Sequence, residues 1–112
     1  MQSAQLSDKT VPNMARKKID TLFSIGAGGV VENTLNKLIH YQLAKYRENT
    51  DQINRELERF ETHYKMTSSR FYKKFEAGEL GDSGDFFEWS GLYENMLLFR
   101  KRIDELETLN DR

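Results

Sequence analysis

Apolar residues recur at alternating steps of three and four along two long stretches of the chain. The first stretch contains no proline or glycine from Val30 to about Tyr64. From Leu43 to Tyr64 the apolar steps are 3, 4, 3, 4, 3, 4, with charged residues between them, which is typical of a helix with one heptad seam. The seam positions are Leu43, Tyr46, Thr50, Ile53, Leu57, Phe60 and Tyr64. This pattern predicts a helix of roughly 35 residues, about 50 Å long.

A second seam begins at Phe86 and continues towards the C-terminus. Its steps are 3, 3, 4, 3, 4, 3, 3, through Trp89, Leu92, Met96, Phe99, Ile103, Leu106 and Leu109. Two long helices that each carry one apolar seam bury it best by packing against each other. The second seam can therefore lie antiparallel to the first.

Two shorter helices complete the predicted fold. One begins at Thr67 or Ser68, carries Phe71 and Phe75 on one face, and ends near Ala77 with Gly78 as a left-handed C-cap. The other covers residues 13–25, with Pro12 in its first turn. We therefore expect an all-α protein: a long antiparallel helical hairpin with a short corner helix and an N-terminal helical segment. Residues 1–112 form a single domain in this prediction, with residues 1–11 as a flexible tail.

The run Gly26-Ala27-Gly28-Gly29 interrupts the N-terminal pattern. Glycine at such density predicts either a turn or a flat helical surface on which another backbone packs closely. A phosphate-binding loop is the third interpretation, but no Lys-Ser/Thr follows and no clear strand precedes the run. The first two interpretations are favoured, and the sequence does not separate them.

Composition excludes several classes of protein. The chain has 31% charged residues, 38% hydrophobic residues and no cysteine, so disulfides, thiolate nucleophiles and zinc–thiolate sites are ruled out. The uncharged run from Thr21 to Val31 is too short to cross a bilayer, which takes about 20 residues. No basic segment followed by an apolar core indicates a signal peptide. These features predict a cytoplasmic protein without membrane contact.

Charge is distributed unevenly along the chain. Residues 1–75 hold 13 Lys/Arg and 8 Asp/Glu, a net +5, whereas residues 76–112 hold 4 and 10, a net −6. A nucleic-acid binder that is basic throughout is disfavoured, and an acidic end that meets a basic partner is favoured. Basic clusters at residues 16–18 and 70–74 keep a DNA-binding regulator as an alternative.

No pattern in the chain indicates catalysis. Glu79, Asp82, Asp85 and Glu88 follow one another at three-residue intervals, but they lack the spacing and central glycine of a calcium loop. Acids at this place favour the positive end of a helix dipole. Asp82 is expected to be the N-cap of the last helix, with Asp85 completing a capping box. We predict no enzyme activity, no cofactor and no metal site.

The segment from residue 71 to residue 89 is the candidate partner-binding site. Adjacent residues on a helix point about 100° apart, so Phe86 and Phe87 cannot both lie centrally on one seam. Whether Phe86, Phe87 and Trp89 are core or interface residues stays open at this point. The candidate residues are Phe71, Tyr72, Phe75, Glu79, Asp82, Asp85, Phe86, Phe87, Glu88 and Trp89.

Residues 60–96, FETHYKMTSSRFYKKFEAGELGDSGDFFEWSGLYENM, resemble a pattern found in small helical bacterial and archaeal proteins. That pattern joins F-x-x-x-Y-x-M-S/T, F-Y-x-x-F, G-E-L-G-D and D-F-F-E-W, and usually has glutamate where Arg70 stands here. The resemblance implies an antitoxin-like partner of a small toxin. Its defining unit would be Phe71, Tyr72, Phe75, Gly78, Gly81, Asp82, Phe86, Phe87, Glu88 and Trp89. The resemblance brings no catalytic residue.

These observations favour a non-enzymatic protein-binding module that neutralises a small cognate toxin through its aromatic and acidic corner. Two long helices and two short ones also leave apolar surface uncovered, which favours a homo-oligomer or a hetero-complex. The alternatives are a coiled-coil-like homodimer without a toxin partner and the DNA-binding regulator named above.

Overall fold

The computed structural model describes residues 10–109, and within that range it contains four α-helices and no strand. Helix α1 is Asn13–Ser24, α2 is Gly28–Tyr64, α3 is Ser68–Glu76 and α4 is Gly84–Glu107. The predicted all-α class and the order of the helices are confirmed. Residues 1–9 of the predicted tail lie outside the described residues. No helix of residues 10–109 combines the length and the apolarity needed to cross a bilayer.

Contacts along the chain form two compact units, one ending at Leu38 and the other beginning at Ile39. The N-terminal unit contains α1 and the first turns of α2. Pro12 is the N-cap of α1, with extended backbone at φ −61° and ψ 151°, one position before its predicted place. The single-domain prediction is not tested by this division and stays a prediction.

The glycine run contains the turn that was one of the two favoured interpretations, and its close contact at Gly28 is with a side chain rather than with another backbone. Gly26 forms a turn at φ +94°, a left-handed conformation that glycine adopts without strain. Helix α2 then begins at Gly28. A Cβ atom on Gly28 would lie 2.8 Å from Cδ2 of Phe23, so the missing side chain leaves room for that ring.

The C-terminal unit is the predicted antiparallel hairpin. At one end the ring of Tyr46 lies 5.5 Å from that of Phe99, and at the other Phe60 stacks on Trp89 at 5.5 Å. All seven predicted seam positions of α2 are buried or half-buried. The seam positions of α4 are likewise buried or half-buried, except for Leu109, which lies beyond the end of the helix and is exposed. The heptad prediction is confirmed.

Helix α3 begins and ends where the sequence predicted. Thr67 is its N-cap, and its hydroxyl accepts a hydrogen bond of 3.1 Å from the Arg70 amide. Gly78 has φ +75°. The Gly78 amide donates to the Phe75 carbonyl at 3.1 Å, and the Glu79 amide donates to the Lys74 carbonyl at 3.0 Å. These two bonds form a Schellman motif, which closes the helix.

The predicted cap of α4 is wrong. Ser83, not Asp82, is the N-cap, and its hydroxyl accepts a 3.3 Å hydrogen bond from the Phe86 amide. Because the helix begins at Gly84, Phe86 is the third helical residue and Ser83 is the residue three positions before it. Asp85 does not close a capping box. Instead it accepts a 2.7 Å hydrogen bond from the Tyr64 hydroxyl.

Candidate functional site

Trp89 and Phe71 form the centre of the corner where α2, α3 and α4 meet. Both side chains are fully buried, and their rings are stacked with centroids 3.8 Å apart at an interplanar angle of 5°. Phe60 and Tyr64 stack on Trp89 from α2 at 5.5 and 5.6 Å. Phe86 packs on Phe71 with centroids 5.5 Å apart. Trp89 and Phe71 are therefore core residues, and neither is available to a partner.

A partly buried network of hydrogen bonds supports this core. The Trp89 Nε1 group donates to Ser68 Oγ at 2.8 Å. The Ser68 hydroxyl in turn donates to Glu61 Oε2 at 2.7 Å, and the Ser68 amide donates to the same oxygen at 2.9 Å. Each N–H and O–H donor of this network has an acceptor, as is usual for buried polar groups. Sequence reasoning missed the hydrogen bonds that Glu61 and Ser68 make here, since a single polar contact leaves no periodic pattern.

Two tyrosines at the edge of the core are tied to carboxylates of α4. The Tyr72 hydroxyl donates to Glu94 at 2.6 Å, and this hydrogen bond, helped by burial and nearby negative charge, raises the pKa of Tyr72 to about 12. The bond from Tyr64 to Asp85, helped by burial and the charge of that carboxylate, raises the pKa of Tyr64. These bonds attach α3 and α2 to α4. Asp85 is thus engaged within the chain.

Phe87 is the candidate aromatic residue that points outward. Its side chain is 58% exposed, while Phe86, one position earlier, is half-buried. Phe75 meets the ring of Phe87 edge-on, with centroids 5.6 Å apart. The acids Glu79, Asp82 and Glu88 are exposed in the same ten residues of chain. We call Phe87 and these three acids the Phe87 surface.

An open groove of about 720 Å³ lies between α2 and α4 beside the corner, with Phe60 on its wall. The lining charges are of both signs: Glu58, Asp85 and Glu88 are acidic, and Arg55 and Arg59 are basic, with His63 beside them. Basic groups of the same chain partly offset the field of Asp85 and Glu88 at this place. Glu79 and Asp82 do not line this groove. Of the four acids in the predicted cluster, Asp85 and Glu88 line this groove.

No group of three or more metal-ligating side chains is close enough to share an ion within residues 10–109. Comparison of the chain with protein-family models, with curated proteins and with solved structures finds no match. The resemblance of residues 60–96 to antitoxin-like proteins therefore stays a prediction.

Proposed function

We propose that this chain is a non-enzymatic protein-binding module whose partner docks on the Phe87 surface. The observation that supports this most is the outward orientation of Phe87, which is 58% exposed in a corner whose other aromatic residues are buried or half-buried. Exposing a phenylalanine to water is unfavourable unless a partner covers it. Large aromatic side chains at the centre of a polar rim are typical of binding hot spots.

Charge indicates the chemistry of the partner. Residues 76–112 have a net charge of −6, and Glu79, Asp82 and Glu88 are exposed within eight positions of Phe87 along the chain. A basic protein would be attracted to this surface over distances of about a Debye length, roughly 10 Å at 0.1 M salt. We infer a small basic toxin as the partner, in keeping with the resemblance of residues 60–96. The acids then occupy the place where the toxin binds the phosphates of its RNA.

The first test is affinity capture of the tagged chain from its native cells, followed by mass spectrometry. The expected result is a small basic protein in stoichiometric amount, encoded beside this chain. The purified pair is then used to measure affinity. Phe87→Ala is expected to weaken binding at least tenfold, because truncation of a hot-spot aromatic residue costs about 2 kcal/mol or more.

Leu98→Ala is the matched control for this test. Leu98 is on the same helix and is 41% exposed, but it lies 11 residues beyond Phe87, about 16 Å along the helix axis. It is expected to leave the affinity unchanged. Equal losses from both substitutions, or no loss from Phe87→Ala, would place the partner elsewhere.

The role of the acids is tested separately. The triple variant Glu79→Gln, Asp82→Asn and Glu88→Gln keeps the shape of the surface and removes three charges. We expect slower association at low salt, with the difference from wild type shrinking as salt is added. An unchanged association rate at low salt would refute the phosphate-mimicry part of the proposal and leave the Phe87 contact standing.

A further inference from the structure

Exposed apolar side chains are concentrated in the N-terminal unit. Of the 13 large hydrophobic side chains that are exposed in residues 10–109, eight lie at or before Leu38. Helix α1 buries none of its 12 residues. This unit therefore exposes an unusual amount of apolar surface to solvent, which is typical of an interaction site.

The exposed residues follow helical stripes on both helices of this unit. On α1 and its C-cap, Met14, Leu22 and Ile25 are 66%, 40% and 71% exposed, at positions i, i+8 and i+11. On α2, Val30 and Leu38 are 67% and 54% exposed, two steps of four apart. Residues at these spacings share one side of a helix. Each helix thus carries an apolar stripe that the unit itself does not cover.

Helix α1 needs such a cover in order to persist. An isolated helix shorter than about 12–15 residues is marginal in water. A unit of fewer than about 40 residues usually depends on disulfides, a metal or oligomerisation. Residues 10–38 contain no cysteine or histidine and only two carboxylates, Asp20 and Glu32. Residues 10–38 thus offer no disulfide and few metal ligands, so oligomerisation is the means of stabilisation that fits them.

The size and charge of the surface fit a second copy of the chain. The five side chains of the two stripes, at 40–71% exposure, offer on the order of 600 Å² of surface, the lower end of what each partner contributes to a standard interface. Residues 10–38 hold four basic and two acidic residues, a net +2. Both signs are present, so two copies are not strongly repelled. Anionic lipid is usually recognised by denser clusters of roughly 4–8 basic residues.

We propose that the chain forms a two-fold homodimer through its N-terminal unit, with the α1 and α2 stripes of both copies closing a four-helix core. A two-fold interface is self-complementary, so the same stripes are buried on each copy. This proposal is independent of the proposed function, which uses the Phe87 surface of the other unit. Dimerisation would place two Phe87 surfaces in one particle.

The test is sedimentation equilibrium of the full chain. The wild type is expected at twice the chain mass of 13.2 kDa. The double variant Leu22→Glu and Leu38→Glu places a charge in each stripe of both copies and is expected to weaken dimerisation at least a hundredfold. Trp89, the only tryptophan, lies in the C-terminal unit, so its unchanged fluorescence shows that this unit remains folded in the variant.

Phe87→Glu is the matched control, since it places a charge on an exposed apolar residue of the other unit. It is expected to remain dimeric. A monomeric wild type, a double variant that stays dimeric, or a Phe87→Glu variant that dissociates would each overturn the proposal. A monomeric wild type that sediments with vesicles containing phosphatidylserine would assign the stripes to a lipid surface instead.

Discussion

The indole nitrogen of Trp89 donates a 2.8 Å hydrogen bond to the hydroxyl of Ser68, and both side chains are buried. The bond joins α4 to the first residue of α3 across 21 positions of sequence. The nitrogen is the one polar atom of the indole, and the Ser68 hydroxyl gives it an acceptor within a cluster of stacked aromatic rings. The corner therefore combines a large apolar burial with a specific polar contact that fixes how Trp89 is oriented.

Ser68→Ala is expected to destabilise the protein by roughly 1–3 kcal/mol, because it leaves the buried Trp89 N–H without an acceptor. Urea unfolding followed by tryptophan fluorescence measures this loss. Ser69→Ala is the matched control, since Ser69 is exposed at the next position of the same helix turn. Equal midpoints for the two variants would mean that the indole bond contributes nothing to stability.

Phe71→Ala is expected to cost about 3–5 kcal/mol, because it removes a fully buried ring and leaves a cavity beside Trp89. Phe87→Ala removes the same number of atoms from a side chain that is 58% exposed and is expected to cost less than about 1 kcal/mol. Urea unfolding of both variants separates core from surface at this corner. Similar losses would contradict the assignment of Phe87 to a binding surface.

Stability is expected to fall at alkaline pH as Tyr72 ionises. Its hydrogen bond to Glu94 requires the protonated hydroxyl, and the folded-state pKa is raised from 10.0 to about 12. A raised pKa in the folded state contributes stability that is present below the unfolded value and lost as pH rises from about 10 to about 12. The bond is exposed, so the effect is a change of slope rather than a collapse.

Denaturant midpoints measured across this pH range test the Tyr72 prediction. Tyr72→Phe is expected to flatten the alkaline fall, and ultraviolet titration of tyrosinate should lose its most alkaline step. Tyr41→Phe changes an exposed tyrosine in the same unit and serves as the control. The same slope in wild type and Tyr72→Phe would count against the Glu94 bond as the cause.

The two candidate caps of α4 make opposite predictions. Ser83→Ala is expected to destabilise by about 0.5–2 kcal/mol, the usual cost of losing an N-cap side chain, since the Ser83 hydroxyl accepts from the Phe86 amide. Asp82→Ala removes an exposed residue that does not cap the helix and is expected to change stability by less than about 0.5 kcal/mol. Thermal unfolding of the two variants decides between them, and a larger loss from Asp82→Ala would restore it as the cap.

The sequence predicts the long helices well because their signal is repeated. Positions from Leu43 to Tyr64 each report the same seam, so one ambiguous residue such as Thr50 does not hide it. Gly78 was predicted for a different reason, since few residues other than glycine adopt its left-handed conformation without strain. In both cases the information is local or periodic.

The details of the corner were beyond local reasoning. Asp82 and Ser83 are adjacent and both favour N-cap positions, so the true helix start depends on how α4 packs rather than on composition. The 100° offset between Phe86 and Phe87 was predictable, but which ring faces inward is set by the position of α3. The exposure of the apolar stripe on α1 could not be predicted either, because an amphipathic pattern does not show whether other parts of the same chain pack against it.

The contacts of the hairpin differ greatly in the length of chain they enclose. At the corner, Ser68 meets Trp89 across 21 residues, whereas at the open end Arg47 meets Glu107 across 60. Closing a longer loop costs more entropy, so the corner is expected to form first during folding. The contacts between α2 and α4 are then expected to form progressively from the corner towards Tyr46 and Phe99. The same order makes the open end the first to fray, and its amides should exchange with solvent faster than those beside Trp89.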